Sequence, residues 1–168
     1  ALAASEGQVG LPHPRIALPR NLYGDKRVNS AGLDMSSEHR LASLSSALLQ
    51  SASHPVKAQP MIDAQTDEGE FLPVINPAEN GDIVGYVREA TQDEISRALD
   101  ASTAAGAIWF ATPPEERAAI LQRAAELMEA QLQSLLGVLV REAGKTFNNA
   151  IAEVREAVDF LHLSLIHI

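Results

Sequence analysis

The chain has 168 residues, 46% of them hydrophobic, and a formal net charge of −9 from 13 Lys and Arg against 22 Asp and Glu. That balance argues against a nucleic-acid partner for this segment, because phosphate recognition needs clustered Lys and Arg to displace counterions, and the densest basic positions are only Arg15 with Arg20 and Lys26-Arg27. With no cysteine, disulfide scaffolds, thiol nucleophiles and Cys-based zinc sites are excluded.

Residues 1–35 carry Pro12, Pro14, Pro19 and several glycines with little hydrophobic periodicity, the composition of an extended connector. From Ser36-Ser37-Glu38-His39, which offers an N-cap, Leu41, Leu44, Leu48 and Leu49 follow at helical spacing and predict an amphipathic helix over 37–53. Residues 55–70 return to polar, Pro-containing sequence and are expected to form a loop, with Asp67-Glu68-Gly69-Glu70 a solvated acidic stretch rather than a metal site. Two β-prone runs, 71–76 and 83–87, flank Asn80-Gly81, a step suited to the positive φ of a tight turn, so a β-hairpin is expected.

Three helical units follow. Thr91-Gln92-Asp93-Glu94 is a capping box, after which Ile95, Ala98, Leu99, Ser102, Gly106 and Trp109 share one face. Trp109-Phe110 is expected to anchor the next junction in the core. Thr112-Pro113-Pro114-Glu115 repeats the helix-start signal, with proline at the first helical position. The stripe Ile120, Leu121, Ala124, Leu127, Met128 continues through Leu132, Leu135, Leu136, Leu139 and Val140, with a bend expected at 131–133. Gly144 is placed to stop that segment as a left-handed glycine. Thr146 is placed to cap a last helix whose inner face is Ile151, Val154, Val158 and Leu161.

Gly144-Lys145-Thr146 invites comparison with the phosphate loop G-x-x-x-x-G-K-[ST], but the first glycine position is Leu139 and a helix stands where a strand is required. A helix stop followed by a threonine cap accounts for all three residues. Glu153, Glu156 and Asp159 recur at helical spacing near Glu142; such carboxylates serve acid–base work or hold an ammonium group, and more often form a solvated face, here with Arg155 beside them. The histidines His13, His39, His54, His162 and His167 show no metal-ligand spacing.

The runs VINPAENGDIVGYVREAT (74–91), IWFATPPEERAAILQRAAELME (108–129) and LVREAGKTFNNAIAEVREAVDFLH (139–162) resemble the N-terminal part of an aldehyde dehydrogenase. More narrowly, they resemble the L-glutamate γ-semialdehyde dehydrogenase half of the bifunctional proline utilization family. The stretch 11–49 is similar to that family's connector between its proline dehydrogenase barrel and the second half. The resemblance implies an α/β enzyme with a flavin-binding barrel and a Rossmann-type NAD domain, of which this chain is a mostly α piece with a β-hairpin. It assigns 1–70 to the connector and 71–162 to the start of the aldehyde dehydrogenase domain. It also implies oxidation of proline on FAD and of the semialdehyde with NAD through a cysteine thiolate, in a cytoplasmic, homo-oligomeric, membrane-associated enzyme acting on a small-molecule substrate. The family's cysteine nucleophile, oxyanion-holding Asn, general-base Glu and NAD contacts have no counterpart here, so no catalytic or cofactor-binding residue is expected and the segment alone is expected to be inactive.

One site residue carries over. By similarity, Glu156 in AEVREAVDF falls where a helix glutamate faces the amino end of the substrate, making it the expected substrate-binding residue. The first residue is alanine, which points to further sequence upstream. The ending LSLIHI (163–168) departs from the family pattern and matches the translation of a transposon-end sequencing adapter, so an adapter-derived tail is expected. Separated from the rest of such an enzyme, the helices are expected to expose apolar stripes and favour aggregation. The competing readings are a stand-alone helical interaction module and an aldehyde dehydrogenase of another substrate.

Overall fold

A computed structural model describes residues 11–24, 27–62 and 69–164. Two compact units divide at Ala31/Gly32. In the first, a single 3-10 turn spans Pro19–Asn21; Asn29 closes it by donating from its backbone to the Arg20 carbonyl at 3.1 Å and from its side chain to the Pro19 carbonyl at 2.8 Å. The Arg27 guanidinium stacks 4.3 Å from the centre of the Tyr23 ring.

The second unit contains, in order, α1 (Glu38–Ala52), β1 (Val56–Ala58), β2 (Leu72–Asn76), β3 (Glu79–Val87), α2 (Gln92–Ala111), α3 (Pro114–Ala130), α4 (Leu132–Ala143) and α5 (Phe147–Ser164). The predicted helix at 37–53 forms with Ser37 as its N-cap, and the turn before it is closed by the Asp34 carboxylate, which accepts from the Ser36 amide and hydroxyl.

The sheet corrects two expectations. Residues 56–58, read as loop, form β1, which pairs parallel with β3, giving the order β1-β3-β2. Nothing in those three exposed residues announces a strand; the pairing is supplied by β3, in which Gly85 faces Val56 so closely that a Cβ there would sit 2.4 Å from the Val56 carbonyl oxygen. The hairpin β2–β3 exists, but its turn is at Pro77-Ala78, since Asn76 pairs with Glu79. Asn76 makes that turn by accepting from the Ala78 amide at 2.9 Å. Asn80-Gly81 lies instead within β3, in an irregular stretch between the paired residues Glu79 and Ile83. Of the acidic stretch 67–70, Asp67 and Glu68 lie outside the described residues.

The capping box of α2 is present as expected: the Thr91 amide donates to Glu94 at 2.8 Å and the Glu94 amide to the Thr91 hydroxyl at 3.2 Å. Its predicted inner face is not covered. Ile95, Leu99, Ile108, Trp109 and Phe110 are all exposed, Phe110 to 87%, so Trp109-Phe110 is not a core anchor among the described residues. Periodicity specifies that residues share a face; it does not say what covers them. Thr112 does not start α3 either. Its hydroxyl donates back to the Ile108 carbonyl as part of the end of α2, and Pro113 occupies the α3 N-cap with Pro114 first in the helix.

The stripe over α3 and α4 breaks at Gln131, whose φ of −100° and ψ of 13° separate the two helices within the expected bend. The core gathers Leu44 of α1, Ala125 of α3, Leu136 of α4 and Ala150, Ile151, Val154 and Val158 of α5, with Leu161 packed at its margin. The inner face expected for the last helix is therefore the one observed.

Hairpin and α4 are joined by a charge clamp that the sequence did not reveal. Arg141 near the end of α4 donates through Nε to Asp82 at 2.9 Å and reaches the Ile83 carbonyl at 3.2 Å, while Asn76 donates to Asp82 at 3.0 Å. The Arg141 bond, then that of Asn76, holds the Asp82 carboxyl at about 2 against an ordinary 3.8. Because the folded value is the lower one, the clamp stabilises fully above the unfolded pKa and its contribution disappears as pH falls from 3.8 towards 2. Asp82→Asn is accordingly expected to unfold at lower urea than the parent at pH 6, with the two curves converging by pH 2; a gap unchanged across that range would show that charge is not what Asp82 contributes.

Candidate functional site

The candidate site is the outer side of α5 and its junction with α4. Gly144 ends α4 at φ +62°, the left-handed conformation glycine tolerates best, and its Cα side lies against Pro77, where an added Cβ would be 3.3 Å from the ring. The Thr146 hydroxyl then accepts from the Asn149 amide at 3.3 Å, starting α5. Lys145, between these two, pairs with Glu153 two helical turns further on. These three residues thus form a helix junction, as their spacing indicated. No phosphate cradle exists at 144–146: the lysine is held by Glu153, and no strand leads into the glycine.

Glu156 projects from α5 opposite the buried Val154 and Val158 and is exposed. Of the carboxylates singled out by spacing, Glu153 is thus engaged with Lys145, Asp159 is half-buried, and Glu142 is exposed on α4. The structure separates their roles although their spacing looks uniform. Along the side of α5 that carries Glu153 runs a groove of about 530 Å³, lined mainly by Met128, Leu135, Leu139 and Val154 with Val56 at its edge. Sequence reasoning missed the groove and the Lys145–Glu153 pair; a separation of eight residues across a helix start lies outside the i,i+3 and i,i+4 rules for helix pairs. Among the described residues there is no group of three or more His, Asp or Glu able to hold a metal ion, and no helix long and apolar enough to cross a membrane.

The model of the aldehyde dehydrogenase family matches residues 63–167. The chain belongs to the aldehyde dehydrogenase family. Within it, the chain is 68% identical over 161 residues to the bifunctional protein PutA of Escherichia coli strain K12, a match covering 96% of this chain and 12% of that protein. Two crystal structures share the fold of this aldehyde dehydrogenase segment. Proline utilization A from Bdellovibrio bacteriovorus superposes with a TM-score of 0.78 at 27% identity, over 90% of this chain and 16% of that one. A 1-pyrroline-5-carboxylate dehydrogenase from Thermus with bound NAD gives 0.75 at 28% identity, over 82% and 27%. The mostly helical segment with a small sheet is therefore part of an α/β aldehyde dehydrogenase, and the chain spans about an eighth of the E. coli protein's length.

Proposed function

We propose that this segment serves an enzyme that oxidises L-proline to L-glutamate, as the start of its NAD-dependent L-glutamate γ-semialdehyde dehydrogenase part, with an FAD-dependent proline-oxidising part preceding it. The observation that carries this reading is the 68% identity sustained over 96% of the chain, which takes in both the connector-like stretch at 11–49 and the aldehyde dehydrogenase stretch at 71–162; a dehydrogenase of another substrate would be expected to match the second alone. The cytoplasm is the proposed location, and a homo-oligomeric, membrane-associated assembly the proposed form of the whole enzyme. The proposed division is a connector followed by the dehydrogenase part, which the family match carries from 63 to 167, with 165–168 outside the described residues.

Glu156 is the proposed substrate contact. It is a solvent-facing carboxylate on a helix fixed by a well-filled inner face, which suits an ammonium group arriving from solution. A hydrogen bond to a charged group contributes about 1.5–3 kcal/mol, so in the longer enzyme that carries this segment Glu156→Ala is expected to raise the KM for the semialdehyde at least about tenfold with little change in kcat, the pattern of lost uniform binding. An unchanged KM would remove Glu156 from the substrate site.

A further inference from the structure

We infer that residues 32–52, which precede the family match at 63, are a positioning element for α5 and, through it, for Glu156. The inference rests on the substrate role just proposed for that residue. Although the sequence reads as connector up to the first helix, the compact unit begins at Gly32, and residues 32–52 reach the helix that carries the candidate contact directly at Gly32 and otherwise through the shared core and α4. Leu33 and Met35 pack against the cluster that includes Val154 and Val158. The Arg155 guanidinium lies along Gly32, 3.7 Å from where a Cβ would stand. On α5 itself Val154 and Val158 are buried in that cluster, Arg155 is half-buried and Glu156 is exposed.

A second path reaches α5 through α4. α1 crosses α4 at Gly137, which is buried, and a Cβ there would meet the Ser51 hydroxyl oxygen at 3.0 Å and Leu48 at 3.3 Å. Gln133 of α4 adds a hydrogen bond to Ser43 at 3.2 Å. α4 shares the core with α5 through Leu136. Close-packed interiors pass small displacements on rather than absorbing them, and a shift of about 1 Å in a substrate-holding group can cost on the order of a hundredfold in rate. Residues 32–36 and α1 thus set where the outer face of α5 stands without touching the substrate.

The test uses the longer enzyme that carries this segment, with Leu33→Ala/Met35→Ala to loosen the packing on α5 and Gly137→Ala as a milder change acting from α1. Both are expected to raise the KM for the semialdehyde about fivefold or more with kcat and the KM for NAD within about twofold, and neither is expected to raise it further in a Glu156→Ala background. A purely structural role would lower thermal stability without this split. An unchanged KM in both variants, or effects that multiply with that of Glu156→Ala, overturns the inference while leaving the substrate role standing. Should Glu156→Ala itself leave KM unaltered, the substrate role fails first and the positioning inference fails with it. If the double variant does not fold, Gly137→Ala decides alone.

Discussion

Glu94→Ala is expected to destabilise the protein by about 3–5 kcal/mol, the loss typical when one member of a buried ion pair is removed. Arg88 and Glu94 pair at 2.7 Å with side chains only 3% exposed each, and a second bond joins Arg88 Nη1 to the other carboxylate oxygen at 2.9 Å. The same carboxylate completes the capping box by accepting from the Thr91 amide. Removing it takes both carboxylate bonds from a buried guanidinium and opens the first turn of α2. Removing both charges together leaves no buried guanidinium short of its carboxylate, so Arg88→Met/Glu94→Gln is expected to cost less than Glu94→Ala alone, with the smaller share coming from weakened capping, about 1 kcal/mol. Urea unfolding followed by circular dichroism measures both. A loss below about 1 kcal/mol for Glu94→Ala would mean that the pair is solvated in solution.

Leu136→Ala is expected to cost about 2–5 kcal/mol. Leu136 is fully buried where α1, α3, α4 and α5 meet, and the residues around it include Ala125 and Ala150, whose side chains are too short to swing into the space a lost isobutyl group leaves. The cost therefore belongs in the upper half of that range, because a site that cannot collapse keeps its cavity. Leu127→Ala is the informative control: Leu127 lies on the same apolar stripe but is 42% exposed, so its truncation is expected to change the urea midpoint far less. Equal effects at the two positions would show that the stripe, and not the packing, sets stability.

Much of the helical order was legible because its signals are local. Ser37, the Thr91/Glu94 box, Gly144 and Thr146 each act within one turn of where they stand, and each does in the structure what its position implied. The sheet was less legible. Asn80-Gly81 has the composition of a turn, but Asn76 turns the chain first with its own side chain, and Arg141, 59 positions from Asp82, ties down the irregular stretch that follows. β1 owes its existence to a partner strand rather than to its own residues. Thr112-Pro113 looked like a cap because threonine hydroxyls serve both ends of helices, and only the direction of its bond distinguishes them. At the candidate site, spacing identified Glu153, Glu156 and Asp159 together, and it took the position of Lys145 to separate one from the others. The role given to Glu156 came from family likeness, to which the structure adds exposure on a firmly packed helix.

The close approach at Gly85 inverts the usual map of mutational tolerance. In most sheets the inward side chains of a strand are sensitive and its backbone is indifferent. Here β1 has all three residues exposed, its backbone bonded to β3, with Lys57 resting 5.4 Å from the centre of the Phe71 ring and Val56 lining the groove beside α5. A substitution at Ala58 that keeps the backbone N–H is therefore expected to leave the attachment intact. At Gly85 even a methyl group would collide with a carbonyl oxygen of the neighbouring strand. A saturation library scored for β1 pairing would thus be permissive at Ala58 on the strand that is held and nearly empty at a single position on the strand that holds it, with the variation a chain can afford written on one partner and the constraint on the other.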